Sequence, residues 1–287
     1  MANLRQLRTR VSSIRNIQRV TNAMQLVAAA RMRRAQEAIL SARPYAEKLD
    51  GILKRVVSTI DGSGNPLMAE RPVERVGLCV ITSDRGLCGG FNGGINRRAF
   101  KEIQETYADQ DVVVDAVGRK GRNYLRNRDQ AIAQDYIDVF RELNFQSAVG
   151  IARTLQNRFT SGEVDRVVLI YNEFVSAAHQ VPVARQLLPI VSGGDESAVS
   201  DGGEFIFEPE ADRLLNILVP RHVNFQVWRA LLESNAGEQA ARMQAMDNAT
   251  KNAGDLLEDL TREVNKVRQA SITLELMDII GGSEAVN

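Results

Sequence analysis

The sequence predicts an α/β protein with a long antiparallel two-helix coiled coil formed by its N- and C-terminal helices. Three observations predict it. Residues 3–60 and 221–283 each carry a repeat that alternates steps of three and four, the heptad period of a helical seam. Residues 73–200 instead alternate short β-branched runs with helix-like stretches, the pattern of a parallel or mostly parallel sheet. The chain is neutral, with 36 basic and 36 acidic residues, yet its two ends carry opposite excesses of charge.

The first helix is expected over 3–60, within a first segment 1–60. Its seam runs Leu4, Leu7, Val11, Ile14, Gln18, Thr21, Gln25, Ala28, Met32, Ala35 and Ile39. Ile17, Val20, Met24 and Val27 widen the apolar stripe on a neighbouring face. Pro44 predicts a kink near Ala42–Arg43, and Gly62, Gly64 and Pro66 end the element. This segment holds twelve Lys/Arg against Glu37, Glu47 and Asp50. Eight arginines and no acid in 1–34 resemble a mitochondrial presequence, but the heptad pattern runs on past any cleavage point.

The middle domain, 73–200, is Rossmann-like in its order of elements. Val76–Thr82, Val112–Val117, Ala131–Ile137 and Val167–Tyr171 read as strands, with helices near 95–108, 119–127 and 145–161. Val181–Ile190 reads as an edge strand, where Pro182 and Pro189 are tolerated. Residues 192–204 read as an acidic loop.

The last segment, 208–287, contains a helix expected over 221–283 and stopped at Gly281-Gly282. Its seam runs Leu232, Ala236, Gln239, Met243, Met246, Thr250, Ala253, Leu257, Leu260, Val264, Val267, Ser271 and Leu274. At 1.5 Å per residue this helix is roughly 90 Å long, about three times the diameter of a small domain, so a rod is expected to stand out from the body. Residues 232–287 hold five basic and ten acidic residues, so the two ends are expected to be neighbours or to face charged partners. Both seams are small and polar in places, burying little area at ~25 cal/mol per Å², and a partner is expected to sheath them.

Several chemistries find no support. Two cysteines, Cys79 and Cys88, and two histidines, His179 and His222, are too few and too scattered for a zinc centre. There is no apolar run of membrane-spanning length. The loop Ser83–Asn92, SDRGLCGGFN, offers glycines before a helix, but its spacing matches neither a dinucleotide fingerprint nor a P-loop. Cys88 as a nucleophile tuned by Asp84 and Arg85 would need a histidine that the spacing does not supply. A tight turn and a protein-contact loop are the other two readings. An α/β enzyme using this loop for phosphate, and a basic coiled-coil tether for nucleic acid or membrane, compete with a mechanical interaction protein.

Five stretches then carry a resemblance. Residues 14–29, IRNIQRVTNAMQLVAA, the loop SDRGLCGGFN at 83–92, residues 192–210 leading into FEPE, and EQAARMQAM (238–246) with KVRQASITLE (266–275) occur in order along the chain. Together they resemble the gamma subunit of bacterial F-type ATP synthases, end to end. The inserted segment with a regulatory cysteine pair that chloroplast members carry is missing. The resemblance implies a non-catalytic rotor shaft without cofactors, present once per complex. Its implied partners are the alpha–beta hexamer, the epsilon subunit and the membrane c-ring, with no nucleic acid. It also implies a peripheral location on the cytoplasmic face of the bacterial inner membrane.

The resemblance implies roles for single residues as well. Arg85 and Cys88 match the loop that meets an acidic helix-turn of a beta subunit. Met24 matches a position facing the same lever, with Arg242 on the opposing helix. Arg268, Gln269 and Thr273 match residues near a beta catch loop. Phe207, Glu208 and Glu210 match the foot toward the c-ring. Arg5, Arg8, Arg10, Arg15 and Arg19 become a basic track facing acidic beta surfaces.

Overall fold

The computed structural model describes residues 4–59, 65–190 and 211–284. Contacts divide the chain into two units, with divisions at Ala28/Ala29 and Ala241/Arg242. Helix α1 (Leu4–Thr59) and helix α5 (Ala211–Glu284) each contribute to both.

In the unit made by the two chain ends, α1 and α5 pair antiparallel. The Thr21 and Thr250 hydroxyls are hydrogen-bonded at 2.8 Å, and the Gln25 amide donates to Asp247 Oδ1 at 3.0 Å. Leu7, Thr21, Ala28, Met246, Ala253 and Leu260 are buried. Every expected seam position of α1 is buried or half-buried, and so is every one of α5 except Leu274. The pairing register explains that exception: Arg268 lies level with the start of α1, so Leu274 lies past the described part of its partner. The neighbouring stripe behaves differently. Ile17, Val20 and Val27 are exposed by half or more of their surface, and Met24 is half-buried.

Pro44 lies inside α1, which is one helix across it. Both boundaries of α5 differ from expectation. Helix α5 begins at Ala211, ten residues before the expected start, with Pro220 inside it, because Leu215, Val219 and Val223 are buried and hold this stretch by packing. It also continues through Gly281-Gly282 to Glu284. The loop expected at 192–204 lies outside the described residues.

The other unit contains a five-stranded sheet. Its strands are β1 (Arg75–Ile81), β2 (Asp111–Val117), β3 (Ile132–Tyr136), β4 (Arg166–Phe174) and β5 (Gln180–Leu188), in the order β3-β2-β1-β4-β5. The first four are parallel, and β5 runs antiparallel to β4 at the edge, where a proline such as Pro182 is tolerated. Helices α2 (Phe91–Lys101), α3 (Arg119–Arg126) and α4 (Phe145–Thr160) flank it. Phe91, Ile95 and Ala99 of α2 with Leu125 of α3 pack one face. The other face is packed by Ile151, Leu155 and Phe159 of α4, by Leu53 and Val56 of α1, and by Val223, Val227 and Leu231 of α5. Asn144 caps α4 by accepting from the Ser147 amide at 2.9 Å. Gly118, at φ +90°, lets the chain pass so close to β1 that a Cβ there would stand 2.2 Å from Thr82 O.

One buried ion pair ties α4 to the sheet. Arg158 donates to both oxygens of Asp115, which is only 1% exposed. Burial raises the Asp115 carboxyl above its ordinary range, and the Arg158 guanidinium opposes that shift. Burial also pushes the neighbouring Cys79 thiol well up, so this cysteine is an inert core residue. Arg158 also reaches Glu163 at 3.3 Å, but Asp115 is left buried without a cation when Arg158 is removed. Arg158→Met is expected to cost about 3–5 kcal/mol in urea unfolding, and adding Asp115→Leu to recover most of it. His222 supplies a second check. Burial lowers its pKa from the ordinary 6.5, so the unfolded chain takes up the proton first. Stability from this group is complete above 6.5 and lost as pH falls below it. His222→Gln should flatten the stability profile between pH 7 and 5.

Candidate functional site

Two surfaces carry the candidate residues, one in each unit. In the α/β unit the loop after β1 is clamped from both sides. Thr82 Oγ1 accepts from the Gly121 amide at 2.8 Å, tying the loop's start to α3. Asp84 Oδ1 accepts from the Arg119 amide at 3.1 Å, and the Arg119 side chain reaches on to Asp138. Inside the loop Asn92 bridges both arms: its Oδ1 accepts from the Ser83 amide at 3.0 Å, and its Nδ2 donates to Ser83 Oγ at 2.8 Å and toward Cys88 Sγ at 3.1 Å. Ser83 Oγ donates to Arg85 O at 2.6 Å.

These bonds fix what the loop displays. Arg85 is exposed, whereas Cys88 is 1% exposed. The Cys88 side chain is therefore turned into the loop, where it helps hold the loop's shape. The residue beside Arg85 at the surface is Leu87, 66% exposed and held at φ +63°. A bulky side chain in left-handed backbone is uncommon and is kept only where the surroundings over-determine it. The sequence reading passed over Leu87, although an apolar residue between Gly86 and Gly89 in a turn was a visible signal. Asp84 is engaged with α3 and the Cys88 sulfur is held by an amide, so the arrangement does not build an activated thiol.

In the other unit, Met24 sits within the exposed stripe of Ile17, Val20 and Val27. Arg242 is 9% exposed and belongs to the helix interface as much as to any outer surface. Arg268, Gln269 and Thr273 are exposed, with Thr273 Oγ1 donating to Gln269 O at 2.9 Å. Around and beyond them Ile272, Leu274, Leu276, Met277 and Ile279 are all about half exposed or more, an apolar end to the helix. Arg5, Arg8, Arg10, Arg15 and Arg19 are exposed on α1. Ion pairs of the acidic half of α5 run along their own helix, as in Lys251–Asp247 and Arg262–Glu258. Phe207, Glu208 and Glu210 lie outside the described residues.

Large apolar stretches left uncovered on a paired-helix unit mark a protein-contact surface. No group of His, Cys, Asp and Glu among the described residues is placed to hold a metal ion, and no described helix is long and apolar enough to cross a membrane.

Comparison with known proteins gives a consistent result. The family model described as ATP synthase matches residues 3–286. The ATP synthase gamma chain of Chlorobium chlorochromatii is 45% identical over 292 residues, covering all of both chains. That of Anaeromyxobacter sp. is 46% identical over 293 residues, again covering all of both. Among solved structures, a chain of the Tetrahymena thermophila mitochondrial ATP synthase central stalk and c-ring matches with TM-score 0.63 and 28% identity, covering 80% of this chain and 99% of that one. A chain of the Euglena gracilis mitochondrial enzyme matches with TM-score 0.69 over 99% of this chain and 94% of that one, at 19% identity, which speaks to the fold alone. By its full-length similarity, this chain belongs to the family of ATP synthase gamma chains.

Proposed function

We propose that this chain is the central rotor shaft of an F-type ATP synthase, a non-catalytic subunit that couples proton flow through a membrane c-ring to the catalytic beta subunits. The observation that carries the reading is the pairing of a weak, partly polar seam with uncovered apolar faces on α1 and at the end of α5. Such a helix pair is completed by a sheath, and the alpha–beta hexamer is the sheath that family membership supplies. The Tetrahymena structure, described as central stalk with c-ring, supports the c-ring as a partner. One copy per complex, contact with epsilon, and a peripheral position on the cytoplasmic face of the bacterial inner membrane belong to this proposal.

The mechanism is a difference in contacts. One shaft inside a ring of near-identical beta subunits touches each of them differently, so it biases each toward a different nucleotide state. Met24 and its apolar neighbours offer a sliding face. Arg85, with Leu87 beside it, would meet an acidic lever of beta, while Cys88 keeps that loop rigid. Arg268, Gln269 and Thr273 would form and break hydrogen bonds as the shaft turns, with Arg242 bracing the helix pair. The arginines Arg5 to Arg19 suit transient contacts, since exposed ion pairs are worth about 0–1 kcal/mol each and are easily exchanged. Phe207, Glu208 and Glu210 would face the c-ring.

Native mass spectrometry of the tagged chain, gently released from its own membranes, is expected to find it once in a complex with three copies each of two nucleotide-binding subunits. A monomer or homodimer would reject the shaft reading. Met24→Lys should lower proton transport per ATP more than it lowers assembly, because it puts a charge into the sliding face. Truncation after Ile280 should be milder, since Gly281–Asn287 lie beyond the last seam position.

A further inference from the structure

The sheet order β3-β2-β1-β4-β5 reverses direction between β1 and β4. In doubly wound sheets the crevice at the carboxyl ends of two such strands is where ligands bind. Here α5 lies against that region. A Cβ built on Gly237 would stand 3.3 Å from Phe91 Cε2, 3.4 Å from Gln180 Cγ and 3.7 Å from Asn172 Cβ. Those three residues begin α2, begin β5 and lie near the end of β4. Two turns define what they anchor. Phe91 follows the loop that displays Arg85 and Leu87, and its amide donates to Cys88 O at 3.2 Å. Gln180 fixes the β4–β5 hairpin, its side-chain amide donating to Ala177 O at 2.9 Å and Ser176 O at 3.2 Å. Asn172 Nδ2 reaches toward Phe91 O at 3.5 Å.

Glycine is a poor residue for the interior of a long helix, so a glycine there calls for a packing reason. Its neighbours on the same face are small as well: Ala230 and Ser234 are buried, and Ala241 packs against the core of that sheet face. We infer that Gly237 is a positioning residue, the point at which the shaft helix is keyed into the sheet's switch crevice, so that force on the Arg85–Leu87 loop passes through Phe91 into α5. The crevice that serves ligand binding in other doubly wound sheets is used here as a socket. This rests on the shaft reading above.

The test uses membrane vesicles carrying the complete complex, with ATP hydrolysis and ATP-driven proton uptake read side by side. Gly237→Val is expected to retain hydrolysis while protons moved per ATP fall at least about threefold, because the added methyl groups overpack against Phe91 and the sheet. Helix propensity cannot explain that loss, since valine is the better helix former of the two. Phe91→Leu, which removes the ε atoms in contact, should restore coupling in the Gly237→Val background. Normal coupling in Gly237→Val, or failure of Phe91→Leu to restore it, overturns the inference. Should Gly237→Val fail to assemble, the pair Gln180→Cys with Gly237→Cys decides the matter. Oxidation to the disulfide leaves proton uptake per ATP at the level of the reduced double variant if α5 is keyed here, and lowers it further if α5 must slide. Wild-type vesicles whose complex lacks this chain would instead sink the shaft reading, whatever the variants do.

Discussion

The pairing of α1 with α5 is the constraint on which the rest depends. Thr21 and Thr250, 229 residues apart, share a hydrogen bond, and Gln25 reaches Asp247 one turn away. Small and polar seam residues bring two backbones close but remove little apolar area from water. The pair is therefore held by fit and by hydrogen bonds whose loss would leave buried polar groups unsatisfied, more than by hydrophobic burial. Its outward apolar stripe at Ile17, Val20 and Val27 is what a seam of leucines facing every direction would not have left over. A helix pair of this kind is made to be enclosed.

The α/β unit answers a different need, which is rigidity. Its sheet is buried on both faces by separate clusters, and the loop after β1 is bonded to α3, to α2 and to itself. The Asp115–Arg158 pair fixes α4 across β2 at the price of desolvating two charges. Leu87 keeps a left-handed backbone while presenting its side chain to solvent, which stores local strain in the loop. That combination suits a surface that receives force.

Much of this was legible in the sequence, for physical reasons that differ by element. The seam of α1 could be read residue by residue because burial in a two-helix pair follows the heptad without exception over its length. The β-strands were legible because buried parallel strands are continuous apolar runs, as in Val167–Tyr171. The start of α5 was not, since Pro220 reads locally as a break and only the packing of Leu215 and Val219 overrides it. That Cys88 turns inward and Leu87 outward was not legible, because a turn's inside and outside depend on φ at Leu87 and Gly89, which spacing does not reveal. Gly237 carried a visible signal, a glycine inside a long heptad run, but its contacts come from three elements distant in sequence.

The central claim is that this chain turns inside its partners. It is tested most directly by fixing the alpha–beta hexamer to a surface, attaching a bead to an exposed position of the α/β domain through Lys101→Cys, and adding ATP. The account predicts unidirectional, stepwise rotation of the bead that stops when ATP is withdrawn. A bead that stays still while the complex hydrolyses ATP would contradict it.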